Sequence, residues 1–384
     1  MTNQLSIHHI APYIVEKQLS GHSYAVPALC QATADKINTH MHVVGKNNLV
    51  FLPNFHVHEY KVNPFLKFIL SSIDFKNGLV DKTKSGDIIH SHGVWRMPHI
   101  YSLEVLKHKN VKIINSPKGS FSAEALKVSK IKKKIFSSFS KQNKFLSTCH
   151  AFHATSIKEK DEIRKLGFKQ PIAVIPEGID IPKENKKFKN RENIKYLYLG
   201  RIHPIKGLDI LINSWKKVEE NDLNCSLEIC GYYDDQEYFN YLLNLVKKNG
   251  LKNIYFSDKV YGESKSKKYL DNDIFILPSK SENFALVIAE AMSHEMPVIT
   301  SKNTPWSIVA EKNLGWFVDS NKNEIYDAIY ESNTLSNNQI NEMGTRGKKH
   351  IKEHFSWDIL SNDYVEFYKW VQNGGETPVF VDIL

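Results

Sequence analysis

Two runs of short apolar segments, each segment followed by a helix-like stretch or a turn, set the tightest limit on what this 384-residue chain can fold into. The first run holds LSIHHIA (5–11), a helix-like stretch over about residues 24–37, HMHVV (40–44), DIIHSHG (87–93), VKIINSP (111–117), FHATS (152–156) and IAVIPEG (172–178). The pattern restarts with IKYLYLG (194–200), SLEIC (226–230), IYFSD (254–258), IFILP (274–278) and PVITS (297–301). Strands alternating with helical stretches imply βαβ units and parallel sheets. Between the runs lies PKENKKFKNREN (182–193), charged and without apolar periodicity, which reads as a linker. FSWDILSNDYVEFYKWVQ (355–372) reads as a closing amphipathic helix, and GGETPVFVDIL as a short tail. The expected fold class is α/β: two doubly wound domains, 1–181 and 194–354, joined by 182–193 and completed by 355–384, which crosses back to the first domain. Facing each other over a central cleft, such domains present the C-terminal ends of both sheets, where ligands bind.

A single hydrophobic core rarely serves more than about 250–300 residues, so the length agrees with two domains. Hydrophobic residues at 41% and charged ones at 24% describe an ordinary globular protein. Apolar runs such as IFIL fall well short of the roughly 18–20 residues that span a bilayer. MTNQLSIHHI shows no basic region followed by a long apolar stretch, so no signal peptide is expected and the protein is placed in the cytoplasm. Cys30, Cys149, Cys225 and Cys230 have neither C-x-x-C pairing nor zinc-ligand spacing, which predicts reduced, buried thiols and no metal site.

The net charge of +9 raises the question of an anionic partner. In LKVSKIKKKIFSSFSKQNKFL (126–146), seven lysines alternate with apolar residues at helical spacing, which predicts one amphipathic helix with a basic face. Such a helix lies on an anionic membrane surface or packs its apolar stripe on its own domain, and both readings stay open. No zinc-finger spacing and no RNP-like aromatic pattern are present, so nucleic acid is not expected as a partner.

The stretch SENFALVIAEAM (281–292) places Glu282 and Glu290 at the two ends of an apolar run. DIFILPS before it reads as a buried strand, with a helix expected to begin near Asn283 or Phe284. One reading is a capping box formed by Ser279 and Glu282. The other is an anion site at the helix N-terminus, with Glu282 and Glu290 accepting hydrogen bonds from hydroxyl groups on either side of a bound phosphate. A second strand–turn–helix junction, YLGRIHPIKGLDILINSW (198–215), holds Arg201 and Lys206 in its loop. A planar fork and a point charge beside a helix N-terminus suit a diphosphate. Both junctions fall at strand C-termini of one domain, which points to a nucleotide-sugar site.

GRIHPIKGLDILI, SENFALVIAEAMSHEMPVIT and VIPEGID resemble the G-R-x(4)-K-G-x-x-x-L, E-x(7)-E and V-I-P-N-G-I-D elements of the retaining GT-B glycosyltransferases of the family 4 type. DIIHSHGVW, SPKGSFSAEAL, NTPWSIVAEKNLGWFVD and YKWVQNGGETPVFV resemble segments of a subset acting in bacterial surface-polysaccharide assembly. The resemblance covers nearly the whole chain. It implies two Rossmann-like domains in the GT-B arrangement. It also implies metal-independent transfer of a hexosyl group from a nucleoside-diphosphate sugar, UDP by family weight, with no other cofactor. The acceptor would be a lipid-linked or membrane-bound glycan of lipopolysaccharide, O-antigen or capsule assembly, reached from a peripheral position on the inner face of the membrane.

By the same resemblance, Arg201 and Lys206 hold the donor diphosphate and stabilise the leaving charge. Glu290 binds the ribose, Glu282 the transferred sugar, and backbone N–H groups of Asn283, Phe284, Ala285, Leu286 and Val287 meet sugar hydroxyls and phosphate. Gly21 matches the glycine-rich loop after the first strand, here Ser20–Gly21–His22. Three positions depart from the family pattern. Lys118 stands where many relatives carry a histidine that touches the reacting sugar, Glu177 replaces the asparagine of the P-N-G-I-D turn, and Ala285 replaces a common glycine. The Glu177 exchange is expected to matter little, because Gly178 gives the turn its freedom. His92 falls at a strand end where an imidazole binds or deprotonates an acceptor hydroxyl, or serves as a structural hydrogen-bonding group. Trp95 and the TPW of 304–306 each allow a sugar-contacting and a packing role. Two rival functions use the same architecture: a binding protein without turnover and a nucleotide-sugar epimerase.

Overall fold

A computed structural model describes residues 5–12, 21–46, 53–184, 186 and 192–384. Among these residues, thirteen strands run in chain order before the closing helix: β1 (Ser6–Ile10), β2 (Asn38–Val44), β3 (His56–Tyr60), β4 (Ile88–His92), β5 (Lys112–Ser116), β6 (Ala151–Ala154), β7 (Ile172–Val174), β8 (Ile194–Leu199), β9 (Cys225–Cys230), β10 (Ile254–Ser257), β11 (Ile274–Leu277), β12 (Val298–Ser301) and β13 (Gly315–Val318). The two-residue β14 (Val381–Asp382) follows that helix. Two compact units result, Met1–Gly178 with Trp357–Leu384, and Ile179–Ser356. The split falls three residues before the expected end of the first domain. Half of the expected linker, residues 185 and 187–191, lies outside the described residues.

The first unit carries a sheet of order β14-β7-β6-β5-β4-β1-β2-β3, parallel apart from the antiparallel β14. Its inner strands are buried on both faces, every residue of β4 and β6 included, as a parallel sheet covered by helices requires. The helix Trp357–Asn373 packs Leu360, Tyr364, Phe367 and Tyr368 against Ile7, Ile88 and Ala173 of this sheet. Gly178 lies against it. A Cβ there would come within 2.3 Å of the Trp357 indole, and the Gly178 backbone is not left-handed. The glycine is therefore needed for close approach, not for the conformational freedom expected from the sequence.

The second unit is a six-stranded sheet of order β10-β9-β8-β11-β12-β13, every pair parallel. Its core centres on Tyr196, Tyr198 and Phe275 from the strands and on Leu208, Leu211, Ile212 and Trp215 from the helix Leu208–Glu220. Those apolar positions recur every three or four residues, which is why this segment is a helix with one buried face.

The basic segment 126–146 is not one helix. It is divided among Ala123–Lys127, Lys130–Phe139 and Gln142–Thr148, with left-handed Ser129 (φ 54°) and Lys141 (φ 61°) at the breaks. Two non-glycine residues in that conformation interrupt the hydrogen-bond ladder without any Gly or Pro to announce it. The four cysteines are free and buried. Among the described residues, no helix is long and apolar enough to cross a membrane.

Candidate functional site

In the second unit, β8 and β11 are adjacent and parallel, so the loops at their C-terminal ends meet. The Lys280 N–H donates to the Ile205 carbonyl at 2.7 Å, tying the loops together through the backbone. Gly207 fits beneath the β11 loop: its φ is 70°, and a Cβ would sit 2.3 Å from the Pro278 carbonyl oxygen. The glycine of R-x(4)-K-G is thus required both for left-handed backbone and for close approach. His203 caps the turn Pro204–Lys206. Its pKa lies below the usual 6.5, through partial burial first and then the positive charges of Arg201 and Lys206.

Side chains expected at a diphosphate site come together here. Lys206 Nζ lies 2.5 Å from Glu282 Oε1, and Ser279 Oγ donates to the same oxygen at 2.6 Å. Arg201 stands at the loop surface, its side chain 40% exposed, with Asp234 3.8 Å away. Asp235 is absorbed as the cap of the helix Gln236–Lys248. The structure excludes one of the two readings of Ser279 and Glu282, the capping box. The helix begins at Leu286, two or three residues later than expected, with left-handed Ala285 (φ 63°) as its cap residue and no side-chain cap. The serine hydroxyl is spent on the carboxylate instead of a helix N–H, so no capping box forms. Asn283, Phe284 and Ala285 make a loop. The Trp306 indole donates to the Phe284 carbonyl at 2.5 Å and packs on its ring at 5.3 Å, so the TPW segment stiffens this loop from a buried position.

Glu290, in the helix Leu286–Ser293, is buried and held by a neighbouring helix, Gly262–Asp271. Lys265 Nζ reaches Oε1 at 2.5 Å, and the Tyr269 hydroxyl donates to Oε2 at 2.9 Å. Burial, and then the Glu290 charge, push the Tyr269 pKa well up, which keeps the phenol a donor. Sequence reasoning passed over Lys265 and Tyr269. Their i, i+4 spacing puts them on one helix face, but nothing in the sequence says which carboxylate that face meets.

The first unit gathers the remaining candidates. His92 ends β4, and its Nε2 shares a proton with His9 Nδ1 at 2.9 Å, while its ring lies 4.1 Å from that of His90. His90 bonds Tyr368 Oη at 2.8 Å and Ser116 Oγ at 2.7 Å, a structural role. Burial first, and then neighbouring positive groups, hold the His92 and His90 pKa values well below 6.5, so both rings are neutral at physiological pH. Nδ1 of His92 and Nε2 of His9 are buried and have no hydrogen-bond partner among the described residues. Among the described residues, His9, His90 and His92 form the one histidine group close enough to hold a metal ion. It is built across β1 and β4, with His9 and His90 in register, and so escaped a search for cysteine spacing. Trp95 is left-handed (φ 66°) and packs at the edge of a core cluster, with Lys133 over its ring at 5.8 Å.

Lys118 is buried, left-handed (φ 54°) and ion-paired through Nζ to Glu177 Oε1. Its turn is pinned by Glu159, which accepts from the Gly119 N–H at 2.6 Å and the Thr155 N–H at 2.8 Å. The expectation that Glu177 matters little is overturned, because it is the salt-bridge partner of Lys118. Gly21 opens the helix Gly21–Thr33, and the loop before it, Ser20 included, lies outside the described residues.

Residues 21–183 match the family described as Glycosyltransferase Family 4, and residues 180–350 match Glycosyl transferases group 1. An uncharacterized glycosyltransferase of Methanocaldococcus jannaschii is 30% identical over 177 residues, 45% of this chain and 44% of that protein. The capsular polysaccharide biosynthesis glycosyltransferase CapM of Staphylococcus aureus is 25% identical over 57% of this chain and 60% of its own length. The chain thus spans about half the length of the curated relatives it matches. Sucrose-phosphate synthase from Thermosynechococcus elongatus superposes with a TM-score of 0.79 at 17% identity, covering 97% of this chain and 100% of that one. Anabaena HepE in complex with UDP and glucose gives 0.73 at 14%, covering 95% and 99%. At such identities these two structures establish the fold. Two adjoining family matches running from residue 21 to residue 350, on two parallel-sheet units, make this chain a member of the family 4-type GT-B glycosyltransferases.

Proposed function

We propose that this protein transfers a hexosyl group from a UDP-sugar to a lipid-linked or membrane-bound glycan in bacterial surface-polysaccharide assembly, with retention of configuration and without a metal ion or other cofactor. The observation that carries the reading is the joined pair of loops after β8 and β11, which sets Lys206 against Glu282 beside the more exposed Arg201. In this reading Arg201 and Lys206 take the diphosphate, and their charge stabilises the departing nucleotide. Glu290, oriented by Lys265 and Tyr269, takes the ribose hydroxyls. Glu282 and the backbone of residues 283–287 face the sugar. The acceptor attacks the face that the diphosphate leaves, and the leaving phosphate takes its proton, so Glu282 is not a covalent nucleophile. Gly21, Lys118 and His92 serve from the first unit. The HepE complex supports UDP as the nucleotide, and CapM supports a polysaccharide product.

The membrane reading is supported by the helix Lys130–Phe139. Phe136 is buried, whereas Ile131, Ile135 and Phe139 are exposed among Lys130, Lys132 and Lys134. An apolar face within a basic one suits an anionic lipid surface.

The test is incubation of purified protein with a panel of labelled nucleotide sugars and membrane extract, with and without a chelator. Label entering glycolipid, unaffected by chelation, is expected. Isomerised donor in solution indicates the epimerase, and binding without turnover the idle fold. Activity abolished by chelation and restored by magnesium or manganese refutes metal independence.

A further inference from the structure

We infer that Trp306 is a positioning residue for the loop after β11: its indole N–H fixes the peptide between Phe284 and Ala285, and with it the direction in which the Ala285 N–H meets a ligand. The placement follows from the sheet. β11 and β12 run parallel in the register Phe275↔Val298, Ile276↔Ile299, Leu277↔Thr300. Past the strands the two segments stay side by side in the same direction, and side chains take over the ties. Thr300 Oγ1 donates to the Leu277 carbonyl at 3.1 Å, Ser301 Oγ to the Ser279 carbonyl at 2.5 Å, and Trp306 Nε1 to the Phe284 carbonyl at 2.5 Å. Between the last two lies one backbone bond, from the Glu282 N–H to the Asn303 carbonyl at 3.3 Å.

The Phe284 carbonyl is left to Trp306 by the way the helix Leu286–Ser293 begins. The Ile288 N–H donates to the Ala285 carbonyl at 2.9 Å, three residues back, so the first helical bond does not reach Phe284. Phe284 and Trp306 are both buried, and a buried carbonyl and a buried indole N–H each require a partner. The indole is wedged between the rings of Phe284 at 5.3 Å and Phe355 at 5.2 Å, which fixes the direction of its N–H. Phe355 is anchored in turn, its carbonyl accepting from the Ile179 N–H at 2.7 Å.

A trans peptide is planar, and its C=O and N–H point in opposite directions. With the Phe284 carbonyl drawn toward Trp306, the Ala285 N–H is turned away from it. That N–H stands at the head of a helix without a side-chain cap, where the first N–H groups have no partner inside the helix. In the proposed reaction it donates to an oxygen of the donor, a sugar hydroxyl or a phosphate. Ala285 is left-handed (φ 63°, ψ 60°), a conformation costly for a residue with a Cβ and kept only while its neighbours hold it. Without the indole bond, the Phe284–Ala285 peptide is free to turn and the N–H loses its aim.

The ligand half of this inference rests on the proposed transfer, and the tie between Trp306 and the loop does not. The experiment compares Trp306→Phe, which keeps a ring and removes the N–H, with the parent protein and with Trp215→Phe. Trp215 is a buried tryptophan of the same unit whose Nε1 has no hydrogen-bond partner among the described residues, so this control reports core loosening alone. Amide hydrogen exchange over residues 280–287, urea midpoints and, on the best donor, kcat and KM are measured for each. Trp306→Phe is expected to speed exchange of that segment by about 10-fold or more. It should lower kcat by about 10- to 100-fold with a smaller change in donor KM, as a displaced group does. Trp215→Phe should lower the midpoint and leave the exchange of 280–287 and kcat near the parental values. Ser301→Ala, a smaller change that removes the tie to Ser279, should move exchange and kcat in the same direction by less, and it decides the matter if Trp306→Phe does not fold. Unchanged exchange over 280–287 overturns the tie. Faster exchange with unchanged kcat, or an equal loss of kcat in Trp215→Phe, overturns the positioning role. If the parent protein transfers no sugar, the proposed function falls, and exchange alone still decides the tie.

Discussion

Lys206 Nζ and Glu282 Oε1 stand 2.5 Å apart although 76 residues separate them, and Ser279 Oγ closes on the same carboxylate oxygen at 2.6 Å. The pair exists because β8 and β11 are neighbours and because Gly207 lets one loop slide under the Pro278 carbonyl of the other. Both side chains are mostly buried, 18% and 10% exposed, so each orients the other. Glu282→Gln keeps the shape and removes the charge that holds the lysine. Turnover should fall by about 10- to 100-fold, with a smaller change in donor KM. Steady-state kinetics on the preferred donor checks this, and unchanged turnover refutes the role of the pair.

Glu290 is held by Lys265 and Tyr269 in a part of the site remote from bond breaking in the proposed reaction. Ribose contacts are alike in ground and transition states, so Glu290→Gln should raise the donor KM more than it lowers kcat. Tyr269→Phe removes one buried hydrogen bond and leaves a carboxylate oxygen short of a partner, a loss of about 1–3 kcal/mol of stability. A Glu290→Gln variant with normal nucleotide affinity in calorimetry contradicts the assignment.

Ala285 occupies a left-handed conformation (φ 63°, ψ 60°) at the start of the helix that carries Glu290. A residue with a Cβ is strained there by about 1–2 kcal/mol. The glycine common in relatives removes that strain and loosens the unfolded chain, so Ala285→Gly should raise stability by about 1 kcal/mol or less. Urea denaturation measures it, and a lowered midpoint speaks against the strained cap.

The first unit has an acid limit built into it. Burial lowers His9, His99 and His153 from the usual 6.5 to about 3. The unfolded chain therefore binds protons on these groups where the native one does not. Stability is fully present above pH 6.5 and is lost as pH falls toward 3. Each such histidine contributes a slope of about 1.4 kcal/mol per pH unit inside that window. Urea midpoints should be flat above the window and should decline steeply inside it; midpoints independent of pH throughout contradict the buried neutral state.

Much of this architecture was legible because parallel strands buried on both faces leave continuous apolar runs, as IFIL and IKYLYL do. β3 was missed because its sequence, HVHEY, is half polar and its side chains are largely exposed or half-buried. β14, at two residues, is too short to form a pattern, and β13 (GWFV) buries only one of its four residues. The broken basic helix was illegible because Ser129 and Lys141 take left-handed conformations without a glycine or proline signal. At the site, Arg201, Lys206 and Glu282 could be named because each lies in a strand–helix loop, and Glu290 because it follows Glu282 at the far end of the same apolar run. Lys265, Tyr269 and the Lys118–Glu177 pair could not, because tertiary contact alone brings them to their partners. The helix start was misjudged for a related reason. Trp306 bonds the Phe284 carbonyl from 22 residues away and keeps residues 283–285 in a loop.

The central claim is that Arg201 and Lys206 draw the diphosphate away from the sugar. The measurement that tests it most directly is turnover of the double variant Arg201→Ala, Lys206→Ala beside the parent protein, on the same donor and acceptor, with melting temperatures recorded for both. Removing one stabiliser of a developing negative charge costs about 10²- to 10³-fold in rate, so the double variant should lose at least that much while remaining folded. A folded double variant that transfers sugar at the parental rate contradicts the account.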